Sequence, residues 1–444
     1  MMKKIWIIIC VLSLSFFNGS SSNGKNVEKK TEEKEIPAKK IQLSDQSGDK
    51  IPILAWGGIN CSGTVDMYKD MADAGFTINY ADDLSTKPAA DNIPHLFTAL
   101  DRADEANLKQ MVGASWLDFL NDQDLRRLKS HPALAGYFFK DEPTTYEWLD
   151  SLNRWVDRVR KIDSEHFGYI NLAGADCRGS NWAPELIGCT GKEPSPYTRF
   201  VKRYAEIDIP MISVDRYPVV VDTVTQQRKL FPGWYYTLER TSSEARRTGK
   251  DLWAFALSTQ LFLPNGIIYP IPTVDDLRLQ MYSNLAYGAQ VLQYYTYVPS
   301  GNSAVWGQPP LTSEGLKTST WYLLQEMNRE FQALAPVFLR AKVNWIAHTG
   351  EIPDGCVELD KSQLPSVFKT LDISGGRGAL VSLLEKGEDN FLVVVNHDIN
   401  ENIEVKATGN RNLYRLNRQA IPLKLGKSAR TLTPGDICIF FWKD

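Results

Sequence analysis

The sequence predicts an α/β fold, a (β/α)8 TIM barrel followed by a small C-terminal antiparallel β-sandwich. Between residues 51 and 340, short apolar runs alternate with amphipathic segments, which is typical of βα units around a parallel sheet. After residue 340 the helical periodicity stops, and short alternating runs are separated by turn residues. The 444 residues are too many for one ordinary core, but they fit a barrel and a smaller domain.

Eight runs have the composition of strands, and eight βα units within roughly 290 residues match the size of a TIM barrel. The predicted strands are 52–59, 76–81, 109–114, 136–140, 168–172, 211–214, 252–257 and 291–296. An open doubly wound sheet is the alternative, although no Gly-x-Gly-x-x-Gly turn opens a helix. The predicted sandwich strands are 367–373, 379–384, 391–396, 402–407, 412–416 and 437–442.

Apolar residues at three- and four-residue spacing predict an amphipathic helix after the fourth strand and another after the eighth. The first stripe is Trp148, Leu149, Leu152, Trp155, Val156, Val159 and Ile162, and the second is Trp321, Leu324, Met327, Phe331 and Leu334. Two long loops, 174–196 and 260–273, follow strand ends, so both are expected to rim the same face of the barrel.

The domain boundaries follow from these patterns. We predict the barrel over 49–341 and the β-sandwich over 342–444. Residues 1–22 resemble a secretory signal, because two lysines precede a short apolar run that is too short to span a membrane. Residues 23–48 are rich in Lys and Glu and predict a disordered tether. We therefore expect export to the periplasm or cell surface, without a transmembrane segment in the mature chain. Cys10 lies inside the apolar run and does not favour a lipid anchor, which stays open.

Composition excludes several function classes. The net charge is -3 and no long basic run occurs outside the N-terminal tail, so nucleic acid is not an expected partner. The five histidines are scattered, and there is no Cys-x-x-Cys, His-x-x-x-His or Gly-x-Ser-x-Gly spacing. We therefore expect neither a metal site nor a cofactor. Cys177 and Cys189 lie in one loop and can form a disulfide in an oxidising compartment.

The predicted strand ends are rich in polar and aromatic residues, and the carboxyl ends of barrel strands are where TIM barrels place their chemistry. In strand order, the candidates are Trp56 and Asn60, Asp82, Trp116, Asp141 and Glu142, Asn171, Asp215 and Tyr217, Gln260, and Tyr295, with Trp306 beyond. Carboxylates, amides and aromatic rings at one mouth suit a polyhydroxylated ligand such as a carbohydrate. Any single ring has packing as its alternative role.

The fourth strand ends abruptly at Asp141, Glu142 and Pro143, because proline lacks the N–H that continues a ladder. Strand alternation predicts that Asp141 and Glu142 point in different directions. Glu142 is the candidate acid, since it has the longer reach and the like charge of Asp141 raises its proton affinity. The alternative is that one of the two acids caps the next helix, beside Thr144.

Three segments carry a resemblance to a known family: Asp-Glu-Pro at 141–143, Asp-Arg-Tyr-Pro at 215–218 and the run 279–297. They resemble secreted bacterial glycoside hydrolases with a barrel and a C-terminal β-sandwich. In clan A members, the fourth strand ends Asn-Glu with the Glu as acid/base, and a Glu at the seventh strand end is the nucleophile. This chain has Asp141 in place of the Asn, and 252–260 contains no carboxylate.

Two mechanisms accommodate this departure. In one, Asp215 or Asp82 is the second carboxylate, acting as nucleophile near roughly 5.5 Å from Glu142 or as base for a water beyond roughly 6.5 Å. In the other, the Asp141-Glu142 pair is similar to that of exoglycosidases that cleave N-acetylhexosamines. That resemblance implies a Glu acid and an Asp that orients the substrate's acetamido group, without an enzyme nucleophile.

The sequence thus predicts a glycoside hydrolase acting on a poly- or oligosaccharide, with Glu142 as general acid/base and Asp215 and Asp141 beside it. The alternative from another class is a catalytically inert carbohydrate-binding protein on the same scaffold. A second carboxylate facing Glu142 favours the enzyme, whereas a Glu142 salt bridge to Lys140 or Arg216 favours the binding protein. Asp215 has its own alternative role, a structural ion pair with Arg216.

Overall fold

Eight parallel strands close into a barrel in the computed structural model, which describes residues 35–38, 41–81, 93–113, 121–178, 183–299 and 305–444. The strands follow chain order around the ring, and the first pairs with the eighth. They are Ile53–Trp56, Ile78–Tyr80, Lys109–Val112, Leu134–Asp141, Phe167–Ala173, Met211–Asp215, Asp251–Leu257 and Ala289–Tyr295. The predicted TIM barrel is confirmed, and the open-sheet alternative is wrong.

Helices follow the barrel strands and cover the outside of the ring. They are Val65–Asp73, Ile93–Glu105, Asp122–Lys129, Tyr146–Arg160, Pro196–Tyr204, Trp234–Thr248, Val274–Ala286, Ser319–Ala333 and the short Ala335–Phe338. Within the described ranges, no helix has the length and apolar content needed to cross a membrane.

The helix after the fourth strand shows why the two acids before it are available for other roles. Its N-cap is Thr145, whose hydroxyl accepts a hydrogen bond from the Trp148 N–H at 3.3 Å. The cap satisfies an otherwise unpaired helical N–H without help from Asp141 or Glu142. The alternative in which one of these acids caps the helix is therefore wrong.

Five short strands form an antiparallel sheet from the loops that follow the sixth, seventh and eighth barrel strands. This accessory sheet consists of Trp306–Gly307, Gln260–Phe262, Ile268–Tyr269, Val219–Val221 and Arg228–Leu230, in spatial order. Strands of two or three residues show no period in the sequence, so the sheet was not predicted. Because its strands come from loops at the carboxyl ends of the barrel, it builds a fixed wall at that end.

The C-terminal domain is a sandwich of a six-stranded and a three-stranded antiparallel sheet. The larger sheet contains Lys342–His348, Ala379–Lys386, Asp389–Asn396, Ile437–Lys443, Tyr414–Leu416 and Pro422–Lys424, and the smaller contains Phe368–Ser374, Ile403–Gly409 and Arg430–Leu432. Each of the six predicted strand segments contains a strand. The predicted β-sandwich is confirmed, with three further strands that the sequence analysis did not identify.

The central strand Asp389–Asn396 is buried along its whole length, because both faces of the larger sheet are covered. Phe391, Val393 and Val395 belong to the hydrophobic core shared with the barrel, whereas Leu392 and Val394 belong to the core between the two sheets. This is the two-residue alternation of a strand. The larger sheet therefore joins the two domains.

The described residues that precede the barrel contact the C-terminal domain. The Ala38 N–H donates to the Pro422 carbonyl at 2.9 Å, the Ser44 N–H donates to Asp389 Oδ2 at 2.6 Å, and Lys386 pairs with Asp45 at 2.5 Å. The prediction of a disordered tether over 23–48 does not hold for these residues. The contacts of these residues are mainly backbone hydrogen bonds and ion pairs. Such contacts need no periodic apolar residues, so the sequence of the segment appears hydrophilic throughout.

Candidate active site

A cavity of about 440 Å³ opens at the carboxyl ends of the barrel strands. Its barrel-side lining includes Trp56, Asp141, Glu142, Asp215, Tyr217 and Tyr295, all candidates from the sequence. The accessory sheet and its turns contribute Leu261, Leu263, Asn265, Ile267 and Tyr269. The volume lies within the range of small-ligand sites.

Asp141 and Glu142 line the same cavity, so the expectation that they point apart is wrong. The reason is an irregular strand end. The register with the fifth strand shifts between Phe138 and Lys140, and Glu142 has a φ of 44°, in the left-handed region. The chain turns at Glu142, whose N–H makes a last bond of 2.9 Å to the Asn171 carbonyl.

Asn171 supports Asp141 from inside the barrel. It is buried, and its Nδ2 donates to Asp141 Oδ1 at 3.0 Å. Its Oδ1 accepts from the Ser213 hydroxyl at 2.9 Å, and Ser213 in turn contacts Tyr169 at 2.7 Å. Because these hydrogen bonds link Asp141 to buried side chains, they fix its orientation. Asn171 is thus a positioning residue rather than part of the cavity wall.

Asp215 lies in the cavity lining next to Tyr217 and near two other carboxyls. Its Oδ2 accepts a hydrogen bond from the Tyr217 hydroxyl at 3.3 Å, and its buried Oδ1 meets no donor in the described part of the chain. Burial raises the pKa of Asp215 well above its ordinary value, and the carboxyls of Glu142 and Asp141 raise it further. The sequence analysis placed the raised proton affinity at Glu142; the structure places a raised pKa at Asp215.

Glu142 and Asp215 line the same cavity, and the influence of the Glu142 carboxyl on the pKa of Asp215 places the two groups near each other. Two neighbouring carboxyl groups are the usual catalytic groups of glycosidases, in which one protonates the leaving oxygen and the other acts at the sugar.

Lys140 and Arg216, the basic residues next to the acidic ones in the sequence, contact aromatic rings. The Lys140 ammonium lies 5.2 Å from the centre of the Trp148 ring, and the Arg216 guanidinium lies 4.2 Å from that of Phe231. Among the described residues, neither forms a salt bridge with Glu142 or Asp215. The ion-pair roles that would favour a binding protein are therefore absent from this part of the structure.

Three tyrosines form an aromatic side of the cavity. The Tyr217 and Tyr295 rings are stacked with centroids 6.0 Å apart and an interplanar angle of 8°, and Tyr269 meets Tyr217 edge-on at 5.7 Å. Trp56 is only 5% exposed and packs against Phe138 and other rings, so it forms the floor. Trp306 packs edge-on against Tyr295 at 5.4 Å without lining the cavity.

Two predicted contact residues lie outside the cavity lining. The Asn60 Oδ1 accepts bonds from the Ser62 N–H at 3.1 Å and hydroxyl at 2.7 Å, and so closes an exposed turn. Gln260 lies in the accessory sheet, paired with Gly307. Both residues were predicted at the barrel mouth because they follow strand ends in the sequence. In the structure, the backbone turns away from the cavity before either side chain reaches it. Asp82 and Trp116 lie outside the described residues.

The loop after the fifth strand brings residues that the sequence analysis missed. Asp176 and Arg178 line the cavity on either side of Cys177, which forms a disulfide with Cys189. The predicted pairing of these cysteines is therefore confirmed. The position of the loop at the rim was predicted, and the polar residues flanking Cys177 were the available signal.

Replacing Cys177 and Cys189 together by serine is expected to lower the free energy of unfolding by about 2–3 kcal/mol, because the bridge restricts the unfolded chain. Urea denaturation of the oxidised protein and the double variant measures this difference. Adding a reductant to the wild type should reproduce the loss, and the double variant should not respond to it. Equal stability of oxidised wild type and variant would contradict the prediction.

In the described ranges, no group of three or more His, Cys, Asp or Glu side chains is arranged to hold a metal ion.

No protein-family model matches the sequence, and no curated protein matches it. Among solved structures, a catalytic mutant of a GH42 β-galactosidase from G. stearothermophilus matches with a TM-score of 0.53 and 8% identity, over 91% of this chain and 99% of that chain. The chain therefore shares its overall fold with this glycoside hydrolase. An α-amylase from Geobacillus thermoleovorans has a TM-score of 0.49, 9% identity and coverage of 89% and 99%. A β-galactosidase from Marinomonas ef1 matches with a TM-score of 0.44 and 12% identity, over 65% of this chain and 60% of that chain. This match spans less than two-thirds of the length of that β-galactosidase.

Proposed function

We propose that this protein is a glycoside hydrolase that cleaves a glycosidic bond in a poly- or oligosaccharide. The observation that carries the proposal is the group of three carboxyls, Asp141, Glu142 and Asp215, that line the cavity at the barrel mouth. Cleavage needs a proton for the leaving oxygen and a negative charge beside an oxocarbenium-like centre. One protonated and one ionised carboxyl in the same cavity supply both.

Within the pair, we assign Glu142 the role of general acid/base and Asp215 that of the second carboxylate. Burial raises the pKa of Asp215. Positive charge that develops on a sugar beside Asp215 favours its ionised form, which is the form that the second carboxylate needs. Glu142 has the longer side chain and lies at the chain turn, which suits it to reach the leaving oxygen.

The tyrosine side of the cavity supports a sugar ligand. Sugars present apolar C–H faces to aromatic rings and hydroxyl groups to carboxylates and amides. The stacked Tyr217 and Tyr295 rings and the nearby carboxyl of Asp141 provide both types of contact. Asp141 is oriented by Asn171, so its acceptor oxygens are held in place before a substrate arrives.

A second candidate mechanism is substrate-assisted cleavage of N-acetylhexosaminides by Asp141 and Glu142. It is favoured by the finding that the two adjacent side chains reach the same cavity. In this mechanism Asp141 orients the acetamido group of the substrate and Glu142 remains the acid. Asp215 would then tune Glu142 rather than contact the anomeric carbon.

The test is a panel of 4-nitrophenyl glycosides in both anomeric forms, with 2-hydroxy and 2-acetamido members of each sugar. Turnover of 2-hydroxy glycosides supports the Glu142–Asp215 mechanism. Turnover confined to 2-acetamido sugars, with inhibition by a thiazoline analogue, supports the substrate-assisted one. An extended panel that includes oligosaccharides and yields no hydrolysis by the purified full chain overturns the enzyme proposal in favour of a binding protein.

We also propose that the protein is exported. The Cys177–Cys189 disulfide supports this proposal, because disulfides persist mainly in oxidising compartments. Cell fractionation of an expressing bacterium, with an antibody against the protein, tests it. Recovery of the protein in the cytoplasm alone would overturn it.

A further inference from the structure

Two arginines share the cavity with the catalytic pair. Arg178 and Arg216 both line it, and their guanidinium carbons lie 4.8 Å and 4.2 Å from the centre of the Phe231 ring. Gly174 lies against Arg216 so closely that a Cβ at this position would be 2.7 Å from the Arg216 Cδ. The Phe231 ring and the bare backbone of Gly174 therefore hold the Arg216 side chain in position.

The two arginines lack a carboxylate partner among the residues that the structure describes. In the described part of the chain, no carboxylate forms an ion pair with either guanidinium. The Arg216 Nη2 donates to the Pro232 carbonyl at 3.3 Å, and its buried Nε has no acceptor among the described residues. The Asp176 Oδ1 accepts the backbone N–H of Arg178 at 3.0 Å rather than its guanidinium.

Two guanidinium charges held so close together repel each other. Burial lowers the pKa of Arg216 from its ordinary value, and the charge of Arg178 lowers it further. Two like charges near one ring, one of them with a buried unpaired donor, are stabilised by an anion placed between them. The guanidinium group of arginine forms two parallel hydrogen bonds to a carboxylate or another oxyanion. This bidentate geometry orients the bound anion and strengthens its binding.

We propose that Arg178 and Arg216 bind an anionic substituent of the substrate, either the carboxylate of a uronic acid or a sulfate ester. This inference rests on the proposed function, since it names the class of glycan that the same cavity takes. The arginines and the Glu142–Asp215 pair lie in one cavity of about 440 Å³, so the charged group belongs to the sugar at the cleaved bond or to its neighbour.

Binding tests the inference independently of turnover. D-glucuronate, D-galacturonate and glucose 6-sulfate are titrated into the full-length protein by calorimetry, with glucose and galactose as neutral probes. We expect at least one anionic probe to bind about tenfold or more tightly than its neutral counterpart, as a charge-assisted contact implies. Binding should weaken as salt is added, because the charges at the mouth are screened.

Arg178→Gln is the informative variant, because Arg178 is exposed and its loss should not prevent folding. It should weaken anion binding about tenfold or more and leave the binding of neutral sugars unchanged. Arg126→Gln, which alters an exposed arginine on the helix Asp122–Lys129, is the matched control and should change neither. Uronates and the sulfate ester, compared with each other, identify the source of the anion.

The outcomes separate the two proposals. Anion-selective binding that depends on Arg178, without hydrolysis of any glycoside, overturns the glycosidase proposal and retains the anion site. Hydrolysis of neutral glycosides, with uronides and sulfated glycosides no better as substrates or ligands, overturns the anion site and retains the glycosidase. Anion binding that survives in Arg178→Gln, or no binding of any anionic probe, also overturns the anion site.

Discussion

Replacing Glu142 by glutamine is expected to lower turnover of a glycoside with a poor leaving group by roughly 10²–10⁴-fold, the usual contribution of a general acid. The amide keeps the size of the side chain, but it cannot deliver a proton to the leaving oxygen. Steady-state kinetics with a responsive aryl glycoside measures the loss.

The leaving group separates a lost acid from a damaged fold. A 2,4-dinitrophenyl glycoside needs little protonation, so its cleavage should fall much less in Glu142→Gln than that of the poor leaving group. Glu147→Gln is the matched control, because Glu147 is exposed in the helix that follows and should leave both rates unchanged. Unchanged turnover of the poor leaving group in Glu142→Gln would remove Glu142 from the proposed role.

Asp215→Asn is expected to lower turnover of both leaving groups by roughly 10²–10³-fold, the cost of removing a preorganised electrostatic stabiliser. The amide cannot carry the negative charge that a developing oxocarbenium ion requires. Because this loss does not concern leaving-group protonation, the two substrates should be affected alike. A selective loss for the poor leaving group would exchange the roles that we assign to Asp215 and Glu142.

The same substitution should stabilise the protein at neutral pH. Burial raises the folded-state pKa of Asp215, so the folded chain binds this proton more tightly than the unfolded chain, where the pKa is about 3.9. The protonated carboxyl therefore favours folding at low pH, and this contribution is lost as pH rises from the unfolded to the folded value. The neutral amide of Asp215→Asn avoids the loss, a typical trade of stability against activity.

Thermal unfolding at acidic and neutral pH measures this effect. The melting temperature of Asp215→Asn relative to wild type should rise between pH 3 and pH 7. Asp104→Asn changes an exposed carboxylate and should show no comparable rise. A stability difference that stays constant or falls with pH would contradict the raised pKa of Asp215.

The barrel could be predicted because its strands carry a strong one-dimensional signal. Runs such as Leu252–Leu257 lie in a strand that is buried on both faces, so they appear as continuous apolar segments whatever the loops do. The sandwich strand Asp389–Asn396 has the same property for a different reason, since it lies between the barrel and the second sheet. Burial on both faces makes such strands visible without knowledge of their partners.

The site was less predictable, since it depends on local geometry that composition does not encode. Strand alternation separated Asp141 from Glu142, but a register shift and one left-handed residue bring them together. The accessory sheet consists of strands too short to show a period, and it supplies Tyr269 to the cavity. Arg178 reaches the cavity through a loop whose course depends on a disulfide.

The larger sheet of the C-terminal domain limits how the two domains of this protein can be separated. One face of this sheet packs Phe391 and Phe441 into the core shared with the barrel. Removing the C-terminal domain would therefore expose a broad hydrophobic surface on both domains. The two parts are therefore expected to melt cooperatively rather than as independent modules. A barrel that is transferred to another protein of this architecture would therefore need the larger sheet to be transferred with it.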